Sequence, residues 1–258
     1  WIVGIFQNHL MAAAVDAAAA TTDFYTHQIA NSCRFDGSTS QFTKTFGSDA
    51  TTNDKFAISV WVKGYKTDGT WGVIATSAGG DLITLWATGD RDDTDSHNIG
   101  YYTDNGGQNA QSIAMARDPY AWRHIVMIYD STESAGADRL KFYNNGEHWT
   151  TASTTYWENI DNNGYPDINR DAGWGKNGDA NIIGQYTVGS LGYYYGYMAD
   201  FVSIDGAAAI SDFGESKNGV WIPKDPSGLT FGNSGFWLNF ASSGDLGNDV
   251  SGNNNDWT

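Results

Sequence analysis

Phe56-Ala-Ile-Ser-Val-Trp-Val62 decides the fold. Phe56, Ile58, Val60 and Val62 fall on alternate positions and Trp61 on the opposite side, the period of a pleated strand with one apolar face. Similar short runs follow at 72–75, 82–86, 99–102, 113–115, 122–129, 139–143, 180–183 and 195–204, separated by Gly, Asn and Asp. Asn144-Asn145-Gly146 marks a tight hairpin, because both central residues of such a turn need positive φ. In 193–198, Tyr193, Tyr195 and Tyr197 share one face, and Tyr194 and Met198 share the other. No strand–helix–strand rhythm or fixed-period repeat runs through the chain, so the pattern predicts an antiparallel β-sandwich of jelly-roll type.

Length and composition agree with one large domain plus extensions: 258 residues, 40% hydrophobic, with 31 Gly and only 4 Pro, a mix suited to many tight turns. The net charge of −16 repels phosphate backbones and argues against nucleic acid as a partner. Cys33 is the single cysteine, so an intrachain disulfide is excluded, and a small buried hydrophobe is its expected role. No stretch supplies the roughly 20 apolar residues of a membrane helix. The apolar start is interrupted by Gln7, Asn8, His9 and Asp16, with no basic residues before it, unlike a signal peptide.

The ends differ from the middle. Ile2, Phe6, Leu10 and Ala14 recur every four residues, which predicts a short helical arm within 1–30. Its narrow apolar stripe needs a partner surface, either the rest of the chain or another subunit. The sandwich is expected over 31–206. Residues 207–258 are expected to form an irregular extension packing on it, anchored by Trp221, Phe236, Trp237, Leu238 and Phe240, with 236–240 as one further strand.

Several blocks carry a family likeness. Ser32-Cys-Arg-Phe-Asp-Gly-Ser-Thr-Ser-Gln-Phe42 and Phe56-Ala-Ile-Ser-Val-Trp-Val-Lys63 resemble the opening of a laminin-G-like, concanavalin A-like lectin domain. Tyr120-Ala-Trp-Arg-His-Ile-Val-Met-Ile-Tyr-Asp130, Arg139-Leu-Lys-Phe-Tyr-Asn-Asn-Gly146 and Gly196-Tyr-Met-Ala-Asp-Phe-Val-Ser-Ile-Asp-Gly206 resemble its later strands, in order. The flanks are similar to phage proteins carrying this domain: Phe24-Tyr-Thr-His-Gln-Ile-Ala-Asn-Ser32, Gly219-Val-Trp-Ile-Pro-Lys224, Gly235-Phe-Trp-Leu-Asn-Phe240 and the ending from Leu246. The resemblance implies a virion structural or adhesion protein: a head decoration, fibre or tail appendage. Its partners would be other virion proteins and further copies of itself, with a trimer one form, and its location the particle surface.

The chemistry of sites is sparse. Glycosidases need two carboxylates about 5–10 Å apart. Glu133, Glu147, Glu158 and Glu215 are isolated from one another, and the 195–205 strand carries only Asp200 and Asp205. No Gly-x-Ser-x-Gly nucleophile elbow occurs, and His124, inside an apolar strand, reads as a packed, hydrogen-bonded residue. The expectation is a non-enzyme. Calcium is the one candidate cofactor. Asp167, Asn169 and Asp171 place oxygens at alternate positions, but Ala172 replaces the turn glycine and Gly178 the closing glutamate. Asp90, Asp92, Asp93 and Asp95 form a second acidic loop. For a host-surface glycan, the candidate stacking residues are Trp174, flanked by Gly173 and Gly175, and then Trp71 and Trp86. A glycan-binding attachment module is therefore the alternative function, with a polysaccharide depolymerase behind it.

Overall fold

The computed structural model describes residues 24–64, 72–78, 83–88, 99–103, 109–112, 118, 120–150, 157–161, 165–186 and 192–258. Among these the chain forms two antiparallel sheets enclosing one core. The first sheet runs β1 (Cys33–Asp36), β13 (Tyr195–Asp205), β3 (Lys55–Lys63), β8 (Arg123–Asp130), β9 (Leu140–Asn144), β10 (Glu147–Trp149), and β16 (Phe236–Leu238) also pairs with β13. The second runs β11 (Trp157–Asp161), β7 (Asn109–Ser112), β6 (Gly100–Thr103), β5 (Ile83–Thr88), β4 (Gly72–Ser77), β12 (Ala180–Ile183), β2 (Phe42–Thr45). The predicted all-β antiparallel sandwich is the observed one. The expected strand at 113–115 lies outside the described residues.

Alternation explains the core. Phe56, Ile58, Val60 and Val62 of β3 join one buried cluster with Ile125 and Met127 of β8 and with Ile74, Leu85, Tyr101 and Ile183 of the opposite sheet. Tyr194 and Met198 face inward with no exposure, while Tyr195 and Tyr197 remain about as open as surface residues.

The outer face of the first sheet is buried too, over half its width. Ala57, Val126, Ile128, Val202 and Ile204 pack there against Phe213 and Phe231 of the C-terminal segment. That segment is more regular than expected. A short helix α1 (Ile210–Phe213) leads into a hairpin, β14 (Gly214–Lys217) and β15 (Val220–Pro223). Asn218 at φ 53 and Gly219 at φ 80 make its turn, the same Asn-Gly device as Asn145 and Gly146 at φ 50 and 79. Phe236, Leu238, Phe240 and Trp257 enter the main core. Thr258 exchanges backbone hydrogen bonds with Thr43 of β2, at 2.6 and 3.1 Å.

Most of the predicted helical arm, residues 1–23, lies outside the described residues. From 25 to 32 the chain is neither helix nor strand. Side-chain bonds to the sandwich and to β14 hold this stretch. Thr26 Oγ1 donates to Glu215 at 3.2 Å, His27 Nε2 to Asp200 at 2.8 Å, and Lys217 Nζ to the Phe24 carbonyl at 2.8 Å.

Candidate functional site

Among the described residues, the other half of the outer sheet face carries a groove of about 620 Å³. Trp61 of β3 and Ala199 of β13, opposite one another in the ladder, form its floor. Trp221 and Pro223 of β15 form one wall, residues 25–32 another, and Trp122, just before β8, stands at the mouth. Trp122 and Tyr25 are surface-exposed, at 37% and 39%. Lys63 Nζ lies 5.9 Å from the centre of the Trp122 ring. Flat indole faces beside amide and hydroxyl side chains suit a ligand with both apolar and hydrogen-bonding surfaces.

A buried imidazole positions the floor. His124 stacks on Trp61 with ring centres 4.7 Å apart and planes 10° from parallel. Trp221 Nε1 donates to His124 Nδ1 at 2.8 Å, and Ser59 Oγ lies 2.7 Å from Nε2. An indole N–H can only donate, so Nδ1 is the unprotonated nitrogen and Nε2–H donates to Ser59. Burial pushes the His124 pKa from 6.5 down to about 3, which keeps the ring neutral. The Ser59–His124 pair therefore runs opposite to a catalytic dyad, in which the ring nitrogen must accept the hydroxyl proton. It orients Trp61 and Trp221 rather than activating Ser59.

Trp221 sits where it does because Gly146 lets it. A Cβ on Gly146 would lie 2.2 Å from the indole. Gly219 has the same backbone conformation, yet a Cβ there would meet nothing within 4 Å. Gly219→Ala is expected to cost only the left-handed strain, about 1 kcal/mol. Gly146→Ala is expected to cost a further 1–3 kcal/mol, roughly, for overpacking. Urea midpoints of the two variants measure the difference; equal losses would mean that Trp221 is not seated on Gly146.

The wall formed by 25–32 is pinned through a strand irregularity. The β3–β13 register shifts between Ala199 and Val202, and Asp200 in the gap adopts φ 45. Such a bulge re-aims a side chain. Asp200 is buried and accepts from Trp237 Nε1 and His27 Nε2, each at 2.8 Å, tying the wall to the sheet and to the C-terminal extension together.

The residues singled out from the sequence are placed differently. Trp174 is not a platform: it is 4% exposed, packs against Phe201, Phe236 and Trp257, and donates to Ser203 Oγ at 2.9 Å. Its loop turns inward, since the buried Gly173 and Gly175 let the backbone pass close to the core. Trp86 stands in β5, paired with Val73 and Gly100, and Trp71 lies outside the described residues. Asp167, Asn169 and Asp171 are exposed in one loop whose backbone is tied down internally, with Asn169 N–H on the Ser131 carbonyl at 2.8 Å and Ala172 N–H on Asn53 at 2.7 Å. Asp90, Asp92, Asp93 and Asp95 lie outside the described residues. Among the described residues no three or more His, Cys, Asp or Glu gather as a metal site would require. Cys33 is buried, and burial raises its thiol pKa to about 11, which disfavours the reactive thiolate. The groove itself escaped the sequence reading. Its walls, within 24–32 and 219–224, and its floor at Trp61 are far apart in the chain, so no local pattern marked it.

Two antiparallel sheets around one core, with an aromatic groove on an outer face, define a lectin-like β-sandwich. The chain belongs to the concanavalin A-like lectin/glucanases superfamily, whose laminin-G family model matches residues 36–201. Among solved structures it is similar to the native heptameric SAP-like pentraxin from Limulus polyphemus, at 15% identity over 71% of this chain and 80% of that one, with a TM-score of 0.46. Domains LG4-5 of the mouse laminin alpha1 chain match at 12% identity over 67% of this chain and 40% of that chain, with a TM-score of 0.42. A leech intramolecular trans-sialidase matches at 12% over 69% and 28%, with a TM-score of 0.39. No curated protein sequence matches the chain.

Proposed function

We propose that the protein is a non-enzymatic adhesion component of a phage particle that binds a glycan in the groove on its outer sheet. The groove is the observation that carries this reading. Its floor belongs to the sandwich, and its walls are the 25–32 and 219–224 stretches, within the flanking blocks that resemble phage proteins. A non-enzymatic role is supported by the Ser59–His124 pair beneath the floor, which is hydrogen-bonded in the sense opposite to a catalytic dyad. The particle surface is the proposed location, with other virion proteins and further copies of this chain as partners.

Two measurements test the reading. Purified virions are expected to contain the chain in stoichiometric amounts, and its absence would remove the particle role. Binding to host-surface polysaccharide is expected to fall roughly three- to tenfold in Trp122→Ala, with the melting temperature little changed because this side chain is exposed; stacking on one aromatic ring is worth about 0.5–1.5 kcal/mol. Unchanged binding in that variant would exclude the groove.

A further inference from the structure

We infer that the groove selects uncharged glycans, an inference that rests on the glycan-binding reading and narrows it. Among the described residues, none that line the groove is Asp, Glu, Lys or Arg. The His27 imidazole there is committed to a hydrogen bond with Asp200 at 2.8 Å. Lys63 is not among the lining residues; its ammonium stands at the mouth, 5.9 Å from the Trp122 ring centre. A uronate or sulfate entering the groove would surrender its hydration without gaining a counter-ion, a desolvation cost that neutral hydroxyls avoid. The net charge of −16 adds long-range repulsion of polyanions.

What the groove offers is matched to a pyranose. Trp61, Trp122 and Trp221 present indole surfaces for the C–H face of the ring. Gln28, Asn31 and Ser32 on the wall are exposed and supply both donors and acceptors for hydroxyls. A proline-rich peptide could also lie on indoles, but it would leave most of this row of amides and hydroxyls unpaired.

The test uses the intact chain in titrations at two salt concentrations. One set of ligands is neutral, dextran and galactan oligosaccharides. The other is acidic, oligogalacturonate and a sulfated galactan. A proline-rich peptide is the third ligand. Neutral oligosaccharides are expected to bind at least tenfold more tightly than acidic ones, with little salt dependence, and the peptide not to bind. The exposed double variant Gln28→Ala/Asn31→Ala is expected to weaken neutral binding about fivefold, and it avoids disturbing the packed Trp221. Tighter binding of the acidic set, insensitive to the double variant, would overturn the neutral selectivity while leaving glycan binding intact. Silence toward every glycan, or binding of the peptide alone, would overturn both.

Discussion

Trp174→Ala is expected to lower the unfolding free energy by about 3–5 kcal/mol, the range for removing a buried aromatic side chain. The indole is the hub of an aromatic cluster, 6.5 Å from Phe201, 6.3 Å from Phe236 and 6.0 Å from Trp257 between ring centres. Two of these neighbours, Phe236 and Trp257, come from the C-terminal extension. The cavity left by the substitution therefore loosens the contact between sandwich and extension as well as the core itself. Ser203 Oγ also loses its indole donor. Trp174→Phe keeps much of the volume but not that bond, and its expected loss is smaller, roughly 1–3 kcal/mol. Chemical denaturation followed by fluorescence measures both. A loss below 1 kcal/mol for the alanine variant would place Trp174 at the surface after all. Glycan affinity per folded molecule is expected to be unchanged, because the groove lies on the far face of β13.

The misreading of Trp174 and the success with β3 have the same root. Period-two alternation reports which side chains share a face, and in 56–62 one whole face is aliphatic or aromatic, so strand and inward direction were both legible. β8 and β13 were legible for the same reason. β7, with Asn109-Ala-Gln-Ser112, and β2, with Phe42-Thr-Lys-Thr45, carry too few apolar residues to stand out. They are strands because their neighbours offer backbone partners. Around Trp174 there is no alternation to read, and flanking glycines mark either an exposed turn or a backbone squeezed against a core. The hairpin at 214–223 was within reach, since Asn218-Gly219 is the same turn signal that was recognised at 145–146. The groove was not, because Tyr25, Trp61, Trp122 and Trp221 belong to four separate segments whose meeting depends on sheet order and on the bulge at Asp200. Proximity of that kind is a tertiary fact, and local patterns do not encode it.

The buried imidazole beneath the groove gives the protein a specific acid sensitivity. In the unfolded chain His124 takes up a proton near pH 6.5, while in the fold burial holds its pKa at about 3. Between these values the unfolded state binds one more proton than the native state. Stability therefore rises with pH through this window and is lost on acidification, at up to about 1.4 kcal/mol per pH unit. Above pH 6.5 the residue contributes no slope. The carboxyls of Asp130 and Asp225 sit below their usual range, Asp130 despite a burial effect that opposes its hydrogen bonds and Asp225 through its backbone bond to Ser227. Their contribution is lost only as the unfolded carboxyls protonate, below about pH 5, so pH 6.5 to 5.5 isolates the histidines. His124→Gln removes the charge change but keeps a side-chain oxygen able to accept from Trp221. Its unfolding free energy is expected to be lower at pH 7, by about 1–3 kcal/mol for the weakened hydrogen bonding and lost ring stacking. It is also expected to be nearly flat between pH 6.5 and 5.5, where the wild type falls steeply. Any slope remaining in the variant belongs to other histidines, including His148, whose pKa is also lowered, first by burial and then by Lys141. Equal slopes in the two proteins would show that His124 is solvated rather than sealed between Trp61 and Trp221. The groove floor would then lack the fixed orientation on which its stacking surfaces depend.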